Sequence, residues 1–584
     1  MAQEKRFNNQ QLADVFDTIA DLLEIKGGVI YKTLAYRKAA DNLRNLGRDI
    51  NEIWREGDLT DVPGVGKAIA NKIEELLKTG HLDFLDKLNE EVPTTLIEIL
   101  QVPEVGPKKA ALFWRNAGIT TLAELESAAR AGSLRDLSGM GIKSETKIIA
   151  GIEALARRTD RIPLGRAWPF AQELLGFLES IESVQAVDVG GSLKRMKATV
   201  GDLDLLAAAE DSEPVMDTFV GHPDVIDVIS RGDTKSSVEF TNNIRAQLWV
   251  HPPERFGTAL QYATGSKEHN VRLRELAIKQ DLSLSDQAFL RKDGSELLCA
   301  EEEQVYEILG LPWIPPELRE DRGEIQAAKA GLLPVLIEGG DLLSDLHTHS
   351  TWSDGKLSIQ EMAGAAIERG LKVLAITDHS VSLGVAGGLT VRRLKEQRQE
   401  IDAAQDVLGE TIHLLQGSEV EIRSDGSLDY PDEVLADLDI VIASVHIGLR
   451  QPREKVTQRL LNAIRNPNVD IIAHPTGRII PSREGADLDM AAVLEAAAEH
   501  GVALEINAHP TRLDLDDIYA RRAIEMGINL SINTDAHSAS DMDLVHFGVA
   551  TARRGWVTPE DVINTWTAER LLVWLKRKGV ARSA

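Results

Sequence analysis

The sequence is poor in several things, and each shortage removes a class of function. Its 584 residues include one cysteine, Cys299, so an internal disulfide or a cysteine-based zinc site is excluded and a reducing compartment fits. No stretch approaches the roughly 18 consecutive apolar residues of a membrane span, and the opening MAQEKRFNNQ lacks the apolar core of a secretory leader. A cytoplasmic protein without membrane contact is expected. An excess of basic residues is also missing. The formal net charge of −27 argues against gripping nucleic acid by bulk electrostatics. The deficit is uneven: residues 1–160 carry 22 basic and 25 acidic side chains, whereas 161–340 and 341–584 are each 12 negative. Any contact with DNA is therefore local, made by backbone amides and a few placed cations.

The length exceeds what one hydrophobic core sustains, so about two to four domains are expected. In 1–160, short helices are punctuated by three similar turns: VPGVGKAIANKI from Val62, VPEVGPKKAALF from Val102 and LSGMGIKSETKI from Leu137. Each opens a helix with a basic residue in its first turn. A helix N-terminus offers unpaired amides and the positive end of the dipole, which suits a DNA phosphate without reading bases. A single Gly-x-Gly turn is usually only a connection; three in succession resemble helix-hairpin-helix motifs. That resemblance makes Gly64, Gly66, Lys67, Gly106, Lys108, Gly139 and Gly141 the candidate DNA-backbone contacts.

Residues 161–310 mix strands and helices around GGSLKRMKATVGDLDLLAAA, from Gly190 to Ala209. Side chains alternate along a strand, so Asp202 and Asp204 share a face and suggest a divalent cation, with Lys194 and Arg195 beside them for a phosphate. The stretch 311–340 has four prolines, a charge run and a Gly-Gly end, and reads as a linker or an ordered interdomain strap.

From 341 onward an apolar run, a polar cluster and a helical stretch repeat, which implies a parallel sheet or barrel with its chemistry at the C-terminal strand ends. Ten of the fourteen histidines lie here. His347, His349, Asp354, His379, Glu419, His446, His474, Asp535 and His537 nearly all follow apolar strand candidates. One histidine after a strand is usually a hydrogen-bonded core residue; nine nitrogen and oxygen donors in such places are a metal site. Imidazole and carboxylate without thiolate suit zinc, manganese or iron. Nine ligands exceed one ion, so two or three ions are implied, with Glu419 as the bridging carboxylate. Ions so spaced acidify a water and clamp both oxygens of an in-line displacement at phosphorus, which defines phosphoester hydrolysis.

DLHTHSTWSDG, ITDHS, AHPTGR and TDAH resemble the PHP (polymerase and histidinol phosphatase) domain, a distorted seven-stranded β/α barrel with a trinuclear site, and the nine residues match its ligand positions. His509 stands where that resemblance leads one to expect Asn and is not counted as a ligand; His413 and His500 have no motif. GGSLKR with GDLDLL, and YATGSKEHNVRLR from Tyr262, resemble the palm and nucleotide-binding helix of family X DNA polymerases. Together with the hairpins, nearly the whole chain resembles the bacterial family X DNA polymerases that carry a C-terminal PHP domain.

The resemblance implies a multidomain fold. An all-α helix-hairpin-helix region comprises a lyase-like domain (1–80) and a fingers-type domain (81–160). An α+β nucleotidyltransferase palm (161–250) with a thumb (251–312) follows, then the linker (313–340) and the distorted (β/α)7 PHP barrel (341–584). It implies that Asp202 and Asp204 hold Mg2+ or Mn2+, that Gly191, Ser192, Arg195 and Arg161 bind the triphosphate, and that Gly265 and Ser266 shape the nucleotide pocket. Tyr262 would face the sugar, Asn270 the minor-groove edge and Arg274 the template. The PHP site would hold Mn2+ or Zn2+. Lys72 matches the Schiff-base lysine of a 5′-deoxyribose phosphate lyase, although the second lysine expected nearby is Ala68. The third catalytic carboxylate is missing: counting back from Phe256 places Gln247 there and Trp249 at an expected arginine, and 241–253 contain no Asp or Glu. Loss of general-base help costs typically ~10²–10⁴ in rate, so polymerisation is expected to be weak and Mn2+-favoured, or absent.

Three functions follow as alternatives. One is a monomeric repair enzyme acting on gapped or nicked DNA with deoxynucleoside triphosphates, combining gap filling, 3′–5′ exonuclease trimming and abasic-site incision. Another is a nuclease whose degenerate polymerase half is a DNA-end scaffold. The third is a small-molecule phosphatase.

Overall fold

The structure, a computed structural model, describes residues 7, 9–28, 30–44, 46, 50–57, 59–62, 64–102, 105–157 and 161–576. The chain forms two compact units that divide after residue 160.

The first unit is helical around one apolar core that includes Leu12, Phe16, Ile73, Leu88, Phe113 and Ile148. The helix Lys67–Thr79 buries Ile69, Ala70, Ile73, Leu76 and Leu77 on one face and ends at Gly80 in the left-handed conformation, the C-terminal stop that glycine makes without a Cβ clash. Gly66 and Gly106 are the extended residues immediately before the helices Lys67–Thr79 and Pro107–Ala117, and Gly141 stands immediately before Ile142–Arg157. Each accepts from the amide four residues on, Ala70, Ala110 and Glu145 respectively. Pro63, Pro103 and Glu104 of the hairpins lie outside the described residues.

The second unit opens with a five-stranded mixed sheet: β1 (Ala186–Val189), β2 (Leu203–Ala208), β3 (Val225–Arg231), β4 (Lys235–Phe240) and β5 (Arg245–His251), in the order β1-β2-β5-β4-β3. Only β2 and β5 are parallel, with Asp204 opposite Gln247 and Leu206 opposite Trp249. Leu203 and Leu205 point into a core with Leu174, Phe219 and Phe240, so the acids take the opposite face. The helices Phe256–Thr264 and Lys267–Lys279 follow, with a three-stranded sheet over 282–297.

The proline-rich stretch is an ordered strap rather than a loose connector. Arg319 within it is completely buried and donates to both carboxylate oxygens of Glu302.

Seven parallel strands then run in sequence order: β6 (Ser344–Thr348), β7 (Val373–Ile376), β8 (His413–Glu421), β9 (Ile440–Ser444), β10 (Ile471–Ile472), β11 (Ala503–Asn507) and β12 (Leu530–Asn533). Every residue in them except His413 is buried, as befits strands covered on both faces. The first and last strands meet through the His349 amide on the Ala536 carbonyl, 2.8 Å, so the barrel nearly closes. Its helices begin where capping chemistry dictates: the Ser358 hydroxyl accepts from the Glu361 amide, and the Glu361 carboxylate accepts from the Ser358 amide, the reciprocal pair expected of S-x-x-E. Among the described residues no helix is long and apolar enough to cross a membrane.

Candidate functional site

All nine metal-type residues of the barrel converge at the C-terminal strand ends. Glu419, on β8 and 2% exposed, is the hub. Its Oε2 lies 2.8 Å from His379 Nδ1, 3.6 Å from His347 Nε2 and 3.8 Å from His349 Nε2; its Oε1 lies 2.9 Å from His474 Nε2 and 3.3 Å from His446 Nε2. Asp535 Oδ1 sits 3.1 Å from His349 Nε2 and 3.6 Å from His347 Nε2. Asp354 Oδ1 sits 3.3 Å from His537 Nε2 and 3.6 Å from His379 Nε2. Three overlapping donor groups result: His347, His349 and Asp535; His379, Glu419 and His446; His349, Asp354, His379 and His537. His474 joins through Glu419. Two of the donors, His474 (φ 27°) and Asp535 (φ 55°), are held in the left-handed region, a cost of order 1–3 kcal/mol each that persists where surroundings over-determine it.

The donors fit divalent cations. His347 Nε2, both ring nitrogens of His349, His379 Nδ1 and Glu419 Oε2 are buried and, close as several of them lie to an opposite charge, none is in hydrogen-bond geometry with a partner. A buried unsatisfied polar group costs about 1–3 kcal/mol, and this many in one place are explained by ions that accept their lone pairs. Without ions the electrostatics are frustrated. Against the burial that would lower it, Glu419 and Asp354 hold the His379 imidazole up to about 10, and Glu419 and Glu421 hold His446 up to about 9. Burial, then His379 and His537, push His349 down to about 3.

These shifts predict how chelation acts. The raised histidines contribute stability to the metal-free fold that is fully present below about pH 6.5, their unfolded value, and is lost as pH rises through about 9 to 10. Ligation requires neutral imidazoles, so metal uptake expels those protons. The gain in Tm on metal loading is therefore expected to grow between pH 6 and pH 9, read by thermal melts with and without chelator.

Two residues that hold the candidate donors in place escaped the sequence reading. Glu505 Oε1, on β11, lies 2.8 Å from His347 Nδ1, and its Oε2 accepts from the His474 amide at 2.8 Å. Glu421 Oε2 lies 2.9 Å from His446 Nδ1. Both fix ring orientation and tautomer from behind the ligand. The signal for Glu421 was its i,i+2 spacing from Glu419 on one strand face. Arg512 was also missed: its Nε is 3.6 Å from Asp535 Oδ2, and its charge, with that of Arg450, adds to burial in lowering the Arg483 guanidinium. His509 is half-buried and bonded to Thr511, outside every donor group.

The second candidate site, on the five-stranded sheet, is smaller. The amide of Gln247 donates to Asp202 Oδ2 at 2.5 Å, and the strand register sets Gln247 beside Asp204. Burial, then the Asp202 charge, raise the Asp204 carboxyl to about 7. Gly191 (φ +60°) belongs here by necessity: a Cβ on it would lie 2.2 Å from Asp204 Oδ2. Strand β5 carries no acid, and Lys235 on β4 places its Nζ 4.3 Å over the Trp249 ring, where its charge also acts on Asp204.

Several of the remaining nucleotide-site candidates already have partners. Ser192 lies in the single helical turn Gly191–Lys194. Arg195 donates to the Thr264 carbonyl at 2.5 Å and to Glu320 at 3.0 Å. Arg161 donates to the Thr199 hydroxyl and carbonyl, and burial lowers its guanidinium, with the charges of Asp202 and Arg195 acting on it in opposite senses. Gly265 has φ +70°; the Ser266 hydroxyl caps Lys267–Lys279, and the Ser266 amide donates to the Arg319 carbonyl. The Asn270 amide is used at both ends, accepting from Gln261 and donating to the Tyr262 carbonyl. Arg274 stacks over Tyr262 at 5.3 Å.

In the first unit Gly64, Gly66, Lys67, Gly106, Lys108, Gly139 and Gly141 are all exposed, and Gly64 (φ +77°) and Gly139 (φ +78°) take equivalent left-handed positions in their turns. Lys72 Nζ lies 3.4 Å from the Ala68 carbonyl and 4.8 Å from the centroid of the Phe84 ring.

Comparison with known proteins agrees along the length of the chain. Residues 7–82 match the helix-hairpin-helix domain family, 96–154 the SAM-like helix-hairpin-helix tandem, 259–320 the DNA polymerase beta thumb and 345–509 the PHP domain. The barrel half is 33% identical, over 249 residues covering 41% of this chain and 96% of the relative, to a probable phosphatase of Thermoanaerobacter sp. (strain X514). DNA polymerase lambda of Rattus norvegicus is 24% identical over 341 residues, 53% of this chain and 56% of that protein. The DNA polymerase/3′-5′ exonuclease PolX of Bacillus subtilis (strain 168) is 38% identical over 575 residues, 98% of this chain and 100% of its own length. With both halves matched end to end in one relative, the chain belongs to the PolX family, the family X DNA polymerases that carry a C-terminal PHP domain.

Proposed function

We propose that this chain is a two-centre DNA repair enzyme in which the barrel trims 3′ ends and the palm fills gaps slowly. The observation that carries the reading is the contrast between the centres: nine convergent donors with orphaned buried nitrogens in the barrel, against two acids and a glutamine amide in the palm.

In the barrel, His347, His349, Asp354, His379, Glu419, His446, His474, Asp535 and His537 would hold Mn2+ or Zn2+. Divalent ions there supply Lewis-acid charge neutralisation at the scissile phosphate. The chain's own residues do the rest. Glu505 and Glu421 keep His347 and His446 in the ligating tautomer, and Arg512, with Arg483 and Arg450 beside it, takes the non-bridging oxygens of the phosphodiester. Replacing Arg512 with methionine is expected to lower exonuclease kcat/KM about tenfold or more while metal content, read by elemental analysis, is unchanged.

In the palm, Asp202 and Asp204 bind Mg2+ or Mn2+ with the nucleotide. Gln247 accepts no proton from a primer 3′-hydroxyl, so incorporation is weak. The exposed glycine turns and Lys67 and Lys108 hold the DNA backbone, and gapped or nicked DNA, which presents a 3′ end to both centres, is the substrate. Lys72, packed on Phe84, is the lyase candidate.

The phosphatase alternative is separated directly. On a 3′-labelled oligonucleotide the full chain is expected to release deoxynucleoside monophosphate, and to free no phosphate from histidinol phosphate; the reverse preference would overturn the reading.

A further inference from the structure

The Arg195 contacts lead out of the palm and into the barrel. Arg195 Nε donates to Glu320 Oε1 at 3.0 Å. Arg554, the last residue of the barrel helix Val545–Arg554, donates through Nη1 to the same Glu320 oxygen at 3.1 Å and to the Arg195 carbonyl at 2.6 Å. Its Nη2 donates to Asp517 Oδ2 at 2.8 Å, which also accepts from Arg322 at 2.8 Å. Lys197 Nζ lies 3.5 Å from Glu320 Oε2. The side chains are withdrawn from water: Arg554 is 4% exposed, Glu320 7% and Arg195 11%.

Two features make this more than a structural staple. Arg195 is also fixed from the other side by the carbonyl of Thr264, the residue before Gly265, so its guanidinium is locked beside the nucleotide turn. And the same guanidinium reaches the acids of the sheet: the charge of Arg195 acts on Asp204, while Arg195, Lys197 and Arg554 share Glu320, and Arg322 and Arg554 share Asp517.

We propose that the barrel is a structural part of the nucleotide site: Arg554, acting through Glu320 and the Arg195 carbonyl, is a positioning residue that sets Arg195 for the triphosphate. This rests on the reading of Arg195 as a triphosphate ligand. The nuclease domain thus contributes to the palm from a distance in sequence of 359 residues.

The test is equilibrium binding of fluorescent mant-dATP with Mg2+ to the full chain, which needs no turnover, for Arg554→Met, Arg554→Lys, Glu320→Gln, Arg195→Ala and the double variant Arg195→Ala/Arg554→Met. Arg554→Met is expected to raise Kd about tenfold, Arg554→Lys to restore part of the affinity, and the double variant to bind no worse than Arg195→Ala, the non-additivity of groups acting through one another. Exonuclease kcat/KM on single-stranded DNA should stay within twofold for Arg554→Met, a split that general loosening would not produce. Should Arg554→Met melt at room temperature, the isosteric Glu320→Gln carries the same expectation. If Arg195→Ala weakens binding while Arg554→Met and Glu320→Gln do not, the positioning role is overturned. If Arg195→Ala itself leaves Kd unchanged, the reading of Arg195 falls and takes the proposal with it.

Discussion

Replacing Glu419 with glutamine is expected to lower 3′–5′ exonuclease kcat/KM by about 10²–10³-fold, the scale of loss that accompanies removal of a central electrostatic stabiliser. The change is nearly isosteric, so packing survives, but it removes the charge that five histidines share: both oxygens of Glu419 lie 2.8 to 3.8 Å from ring nitrogens of His347, His349, His379, His446 and His474. An amide presents one acceptor in place of two and points hydrogens at a nitrogen that should be ligating. Elemental analysis should show fewer than the wild-type number of bound ions, and mant-dATP binding at the palm should persist as proof that the chain is folded. Full activity in Glu419→Gln would mean that the hub is not at the reacting centre.

Gln247→Asp is expected to act in the opposite direction, raising Mg2+-dependent primer extension by roughly 10²–10⁴, the value of positioned general-base help. In the wild type the Gln247 amide hydrogen occupies the Asp202 carboxylate, and that carboxylate together with burial already lifts Asp204 to about 7. A third acid turns the face into one that must hold divalent cations. Because Asp204 is raised, its proton competes with the metal below about pH 7, and extension at limiting Mg2+ should increase from pH 6 to pH 8. A Gln247→Asp variant with unaltered extension would place the missing acid elsewhere than on β5.

The difference between the two centres also explains what could be read before the fold was known. Strands buried on both faces run largely apolar, so the histidines and acids towards their C-terminal ends, His347 through His537, stand out in the sequence. Glu505 did not, because a single acid within ALEIN has no signature apart from the ring it supports, and Glu421 offered only its i,i+2 spacing from Glu419. In the palm, the alternation of Asp202 and Asp204 was legible from strand period alone, and counting from Phe256 reached Gln247, which the register sets beside Asp204. The cation stacked on Trp249 was not legible: Lys235 comes from the neighbouring antiparallel strand and depends on its pairing. Prolines suggested a connector at 313–340, but the charges between them are what pack: Arg319 on Glu302, Glu320 on Arg195 and Arg554, Arg322 on Asp517. Contacts this distant in sequence leave no periodicity to find.

Nucleotide chemistry is assigned to the palm and hydrolysis to the barrel. That division is decided by crossing Asp202→Ala and His347→Ala, in the full chain, against nucleotide incorporation on gapped DNA with Mn2+ and 3′–5′ degradation of single-stranded DNA. Incorporation should vanish in Asp202→Ala with degradation intact, and degradation should vanish in His347→Ala with incorporation intact. Incorporation that survives Asp202→Ala, or degradation that survives His347→Ala, would contradict it.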